Sequence, residues 1–274
     1  MKLQKLVQET RAYYDRQRTD RNLILGKKTG IINHHFGIGD YHHPKFKKTP
    51  AEVTRVLNEL ELRQMDMLFC FMGPVYPSDV ILDAGCGRGG TAITLNNRFG
   101  CAVHGISISP YQVNFAKRVV KEKGLSKRIH ITEMDYHNLS FKKNMFDHVL
   151  TNESTEHSYS LEKLFKGFSR VLKPNGRYTL AAWCMGDGVD ESKLVERANI
   201  QYKTNLHRPS EYLQALKKTG FAHVIKADLS EMAQPYVTLR KDWKDASGIE
   251  ITGIDGFKKG EIRYYYFTAT KTKN

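Results

Sequence analysis

The chain has 274 residues, 40% of them hydrophobic, and a formal net charge of +14. That is enough for one large domain, or for a domain with an elaborated cap. With no apolar run of 18 residues or more, no membrane span is expected. Residues 1–20 are charged throughout and carry no apolar h-region, so no secretory signal is expected. Cys70, Cys86, Cys101 and Cys184 are scattered, with neither CxxC pairing nor zinc spacing. This is the usage of reduced thiols in a cytoplasmic protein. The positive charge admits nucleic acid, an anionic membrane surface or an anionic small substrate as partner. Its dispersal, with only a modest run at Lys45 to Lys48, equally suits plain solubility, so charge alone does not choose.

In chain order, residues 3–20 read as a helix with Leu3, Leu6, Val7, Tyr13 and Tyr14 on one side. A glycine-punctuated stretch follows, Asn33-His34-His35-Phe36-Gly37-Ile38-Gly39-Asp40, with His42 and His43 just beyond. By itself it reads as a turn-rich surface loop. Glycines around an Asn-His-His cluster also suit backbone held close to a ligand, and the His pair leaves metal ligation open. Residues 50–71 form an amphipathic helix with Val53, Val56, Leu57, Leu60, Met65, Leu68 and Phe69 at helical spacing. Thr49 and Pro50 start it and Gly73-Pro74 ends it.

From Asp79 the pattern alternates. Strands are expected at 80–84, 102–107, 129–133, 146–151, 176–184, 222–228 and 262–270, and helices at 91–98, 110–123, 161–171 and 209–219. Alternation with short connectors implies a doubly wound α/β sheet. The interval 229–261, with Trp243, Gly248, Gly253, Gly256 and Gly260, reads as an insertion or lid.

The first strand runs into Asp83-Ala84-Gly85-Cys86-Gly87-Arg88-Gly89. A glycine-rich strand-to-helix turn lets a ligand approach the backbone. The D-x-G-x-G-x-G spacing resembles motif I of the class I S-adenosylmethionine-dependent methyltransferases. It differs from the dinucleotide G-x-G-x-x-G and from the P-loop. Further matches follow. Gly105-Ile106-Ser107-Ile108-Ser109-Pro110-Tyr111-Gln112 resembles the segment of cyclopropane-fatty-acid synthases and isoprenoid C-methyltransferases in which Ser/Thr and Gln replace a ribose-binding acid. Asp135-Tyr136, Leu139-Ser140-Phe141, Phe146-Asp147 and the Lys-Pro-Asn-Gly-Arg turn at 173–177 resemble other family segments. The loop at 33–39, Asn152-Glu153-Ser154-Thr155 and residues 202–213 resemble the geranyl diphosphate and related isoprenyl diphosphate C-methyltransferases, so the resemblance spans residues 22–270. The chain departs from them at Ile31-Ile32, where relatives carry an aromatic residue, which leaves substrate length and the methylated carbon open.

The resemblance implies a Rossmann-like class I methyltransferase fold: a mostly parallel seven-stranded sheet with strand seven antiparallel and an N-terminal helical cap. Residues 1–74 would be the cap and substrate loop, and 75–274 the cofactor domain with its lid insertion. For S-adenosylmethionine it implies Asp83, Gly85, Gly87 and Gly89 around the methionine part, Ser107 and Gln112 at the ribose, Asp135 and Tyr136 at the adenine, and Asn152 close by. It implies an isoprenyl diphosphate substrate, with Glu153 as base after alkene methylation. Phe36 and Tyr202 would face the carbocation, and Asn33, His34, Arg208 and Arg240 the diphosphate. Mg2+ is implied without named ligands.

The Asn/Asp-Pro-Pro-Tyr motif of amino- and DNA-methylating relatives is absent at residue 152, and no RNA-binding signature occurs, so no nucleic-acid partner is expected. Self-association stays open. A prenylated product or sterol-like lipid, methylated without a diphosphate and with or without cyclisation, is the alternative substrate. A non-catalytic polyanion binder is the reading from another class.

Overall fold

Seven strands are present among the described residues: β1 (Val80–Ala84), β2 (Ala102–Ser107), β3 (Ile129–Glu133), β4 (Phe146–Asn152), β5 (Leu172–Met185), β6 (Phe221–Asp228) and β7 (Ile262–Lys271). They form one sheet in the order β3-β2-β1-β4-β5-β7-β6. In this computed structural model the described residues are 2–18, 20–27, 29–41, 49–241 and 249–272. His42, His43, Lys45 to Lys48, Trp243 and Gly248 lie outside them.

Strands β1 to β5 pair in parallel, whereas β7 runs antiparallel to both β5 and β6. This is the Rossmann-like methyltransferase arrangement expected from the sequence. The chain direction across the sheet reverses between β1 and β4, and ligands of such sheets bind at the strands' carboxyl ends at that switch point. Here β1 ends in the glycine turn and β4 ends in Asn152, immediately before Glu153.

The helices are α1 (Lys2–Arg16), α2 (Arg21–Leu25), α3 (Pro50–Met72), α4 (Gly90–Phe99), α5 (Pro110–Glu122), α6 (Leu161–Val171), α7 (Lys193–Tyr202), α8 (Pro209–Lys218), α9 (Ser230–Lys241) and α10 (Ile249–Lys259). A single 3-10 turn, Thr155–His157, follows β4. Two apolar layers sandwich the sheet. One joins the buried faces of α3, α4, α5 and α9. The other joins α6 and α8 through Phe165, Phe168, Tyr178 and Tyr212. Helix α3 packs against β5 and β7, as its apolar stripe requires.

Four segments differ from expectation. The first helix stops at Arg16, because Asp20 begins a new one: its carboxylate accepts from Asn22 N at 3.0 Å as the N-cap of α2. The 173–177 turn is an irregularity inside a longer β5, with Asn175 left-handed at φ 64° and the β4 register shifting beside it. The interval 229–261 holds α9 and α10, and α7 also forms where the sequence carried no clear periodic signal.

Candidate active site

The first cavity lies over the β1–α4 turn. Gly85, Gly87, Ser107, Gln112, Asp135, Tyr136 and Asn152 line it, as do Asn33, His34 and His35 from the loop above. Gly85 takes φ 94°, and a side chain there would collide with Ser154. A Cβ at Gly90 would meet Asn33 Oδ1 and the Ile32 carbonyl. The turn therefore has to be bare for loop 29–41 to close over it. Asp83 is buried and bonds the Ala92 backbone N–H, fixing the start of α4; burial pushes its carboxyl up to about 7. It anchors the turn from beneath and is not among the residues lining the cavity.

Ser107 Oγ donates to Gln112 Oε1 at 2.9 Å. That fixes the amide so that Nε2 lies on the side of Gly87, a donor suited to sugar hydroxyls. At the end of β3, burial alone would raise Asp135. Accepting from His137 Nδ1 (3.0 Å) and His137 N (2.8 Å) outweighs that and holds the carboxyl below its ordinary value. Asp135 thus stays an acceptor, which an adenine amino group requires. Tyr136 donates to the Ser154 carbonyl at 3.0 Å, which fixes its ring at the cavity wall. Two buried acceptors in loop 29–41, Asn33 Oδ1 and His35 Nε2, have no partner among the described residues. Bare turn, sugar-side amide, adenine-side carboxylate and spare acceptors for an ammonium fit S-adenosylmethionine. Asn152 exchanges amide bonds with Gln64 (2.8 and 3.2 Å), so it reaches the cavity as part of a buried network.

A second cavity of ≈ 740 Å³ opens beyond Glu153. Phe36, Trp183, Tyr202, Leu206, Val237 and Ile262 supply much of its apolar wall. Glu153 follows the end of β4 in the left-handed region at φ 51°, a strained placement for a non-glycine residue. Its Oε1 accepts from Phe36 N (2.9 Å) and Tyr264 Oη (2.7 Å), and its Oε2 from Trp183 Nε1 (3.0 Å). Burial pushes this carboxyl up to about 7 despite those three donors. It is poised to take a proton near neutral pH. The rings of Phe36 and Trp183 meet edge-on at 4.7 Å, and the Arg240 guanidinium lies 5.3 Å over Phe36.

Tyr202, Phe36, His34 and Arg240 therefore share one cavity with Glu153. Arg208 does not join them. It caps α8, its guanidinium donates to the Val189 carbonyl, and its backbone N–H to Glu211 at 2.6 Å. Asn33 lines the first cavity rather than the second. Among the described residues no group of three or more His, Cys, Asp or Glu could hold a metal.

Sequence reasoning did not single out Trp183, Tyr264 and Gln64. Trp183 and Tyr264 are register partners across β5 and β7. Gln64 donates to both Tyr264 Oη (3.0 Å) and Asn152. Only Trp183 carried a readable signal: it sits near the carboxyl end of β5, the strand beside Glu153. It also missed Arg88, whose fully buried guanidinium pairs with Asp20 and donates to the Gln17 carbonyl at 2.6 Å. With Tyr14 Oη on His157 Nε2 (2.8 Å) and Ser109 Oγ on Asp15 (2.6 Å), it ties the N-terminal helices down over both cavities.

Residues 82–180 match the family model described as a methyltransferase domain. The geranyl diphosphate 2-C-methyltransferase of Saccharopolyspora erythraea is 32% identical over 264 residues, covering 94% of this chain and 92% of that protein. Its namesake from Streptomyces lasalocidi is 31% identical, covering 94% and 88%. Among solved structures, a geranyl diphosphate methyltransferase in complex with GPP and sinefungin superposes with a TM-score of 0.93 at 30% identity, covering 97% of this chain and 99% of that one. The Streptomyces coelicolor enzyme in complex with Mg2+, geranyl diphosphate and S-adenosyl-L-homocysteine gives 0.90 at 29% identity, covering 97% and 98%. The chain belongs to the class I S-adenosylmethionine-dependent C-methyltransferases, in the branch that contains the geranyl diphosphate 2-C-methyltransferases.

Proposed function

We propose that the protein methylates an alkene carbon of an isoprenyl diphosphate, with geranyl diphosphate the first substrate to test and farnesyl and isopentenyl diphosphates the next. The observation that carries this reading is Glu153. A thrice hydrogen-bonded carboxylate stands on the border of the cofactor cleft, in an aromatic chamber that also holds Arg240.

S-adenosylmethionine, when bound, supplies an electrophilic sulfonium methyl. The chamber holds the alkene in line with it, and such positioning is worth up to ~7–11 kcal/mol. As the carbon–carbon bond forms, positive charge appears on the neighbouring tertiary carbon. Phe36 and Tyr202 line the space where it develops, and an aromatic face stabilises a desolvated cation by ~2 kcal/mol or more. Glu153 then accepts a proton from the carbon beside the cation, and the electron pair of that C–H bond restores the double bond. Arg240, with His34 and the polar residues of the cap, faces the diphosphate; Mg2+ on that group would offset its remaining charge. The setting proposed is cytoplasmic, in line with four free cysteines and no described helix long and apolar enough to cross a membrane.

The test is incubation with labelled cofactor, Mg2+ and each of the three diphosphates. Label in at least one intact diphosphate is expected. No label in any of them would overturn the reading and favour a substrate without a diphosphate.

A further inference from the structure

Beyond Trp183 the chamber holds a second carboxyl that the proposed reaction does not use. Glu156 lies on the 3-10 turn after β4 and is 3% exposed. Its Oε1 accepts from Trp183 N at 2.6 Å, while its Oε2 is buried without a hydrogen-bond partner among the described residues. The residue lines the same cavity as Glu153. A chain of contacts separates it from Arg240. Arg240 lies over Phe36, Phe36 packs on Trp183, and the Trp183 backbone meets Glu156. A diphosphate held near Arg240 therefore sends its tail past Glu153 towards Glu156. Ala198, Leu206 and Ile262 also line the cavity and offer a tail apolar contact.

We propose that Glu156 is a specificity-determining residue, selecting an isoprenyl diphosphate whose tail carries a hydroxyl over the all-hydrocarbon chain. This rests on the isoprenyl diphosphate reading above. Oε2 is already dry and without a partner among the described residues, and a hydrocarbon tail would leave it so, a state that buried polar groups do not tolerate cheaply. A hydroxyl on the tail both donates and accepts, so it satisfies Oε2 in either protonation state. Burial and the nearby Glu153 charge push Glu156 up to about 8, so near neutral pH its acid form offers an O–H to such an oxygen. Recognition of this kind discriminates more sharply than an apolar pocket does, because the wrong substrate leaves a polar group unpaired.

The experiment measures binding and turnover of geranyl diphosphate and 8-hydroxygeranyl diphosphate with Mg2+. Binding is measured calorimetrically with S-adenosylhomocysteine present, so it does not depend on the chemistry. The wild type is expected to bind the hydroxylated compound about tenfold or more tightly. Glu156→Gln keeps an acceptor for the Trp183 N–H and a donor for the tail, and should hold the preference. Glu156→Leu should abolish it, weakening the hydroxylated compound while leaving geranyl diphosphate within about twofold. Equal affinity of the wild type for the two, or a ratio unmoved by Glu156→Leu, would overturn the proposal while leaving the parent reading intact if both are methylated. Failure to bind either compound would overturn this proposal, while farnesyl and isopentenyl diphosphates would still decide the parent reading.

Discussion

The floor of the cofactor cleft is made of strand ends and the turns after them, namely the glycine turn of β1, Ser107 and Gln112 after β2, and Asp135 and Tyr136 after β3, with α1 and loop 29–41 closing over it. The chamber beside it draws on parts far apart in the chain, namely α1, loop 29–41, the β4 and β5 ends, α7, α9 and α10. In the first, backbone geometry creates the site, and each side chain acts where its own strand delivers it. In the second, packing between distant elements creates the site, and its central carboxylate is held by Phe36, Trp183 and Tyr264. A change in the chamber should therefore alter chemistry and substrate choice while leaving cofactor affinity largely intact.

The largest effect is expected from Glu153→Gln. Loss of a general base costs roughly 10²–10⁴-fold, so turnover should fall by that order while S-adenosylhomocysteine binds nearly as before by calorimetry. A matching loss of cofactor affinity would merge the two regions into one. Next, Arg240→Met should raise KM for the diphosphate about tenfold or more, as expected for loss of a charged hydrogen bond. Cofactor KM should stay within about twofold if the separation holds. An unchanged diphosphate KM would move the charged end of the substrate away from α9.

Stability with pH separates the regions differently. Burial pushes Glu61 and Glu156 up to about 8 and Glu153 up to about 7 in the chamber and its wall, and Asp83 up to about 7 beneath the cleft. A folded carboxyl above its unfolded value binds more protons than the unfolded one, so its contribution is full at low pH and is lost as pH rises through the folded value. His35 and His157, buried and lowered to about 4, act in the opposite sense, but only below their ordinary 6.5. Above about pH 7.5, where an unfolded histidine is already neutral, the carboxyls dominate, and the ligand-free protein should lose stability as pH rises, read as a falling Tm. Glu156→Gln should flatten part of that slope. The smallest effect is expected from Tyr264→Phe. It removes one donor to the Glu153 carboxylate, so the acid limb of the pH–rate profile should move up by about one unit. A limb that stays in place would mean that Glu153 does not set it.

The same contrast explains what the sequence disclosed. The sheet and the cofactor side were legible because local pattern determines them: apolar runs, glycines and the Ser107–Gln112 pair act within a few residues of each other. Glu153, Phe36 and Tyr202 were reachable through motifs resembling those of known enzymes. Trp183, Tyr264 and Gln64 were not, because their roles depend on the β5–β7 register and on where α3 crosses the sheet. Arg208 was offered as a diphosphate ligand by the resemblance of residues 202–213, yet the start of α8 commits it to a capping position. Helices α9 and α10 were hidden by glycines and by Pro235, whose weak propensity is overridden by packing on α3, α7 and β7.

The central claim is that the chamber directs the cofactor's methyl to an alkene carbon of an isoprenyl diphosphate. The most direct measurement is structural identification, by mass spectrometry and NMR, of the product formed from geranyl diphosphate, Mg2+ and cofactor with a deuterated methyl group. The account predicts an intact diphosphate with the labelled methyl on an alkene carbon and the double bond restored. Label on oxygen, or no labelled diphosphate from geranyl, farnesyl or isopentenyl substrates, would contradict it.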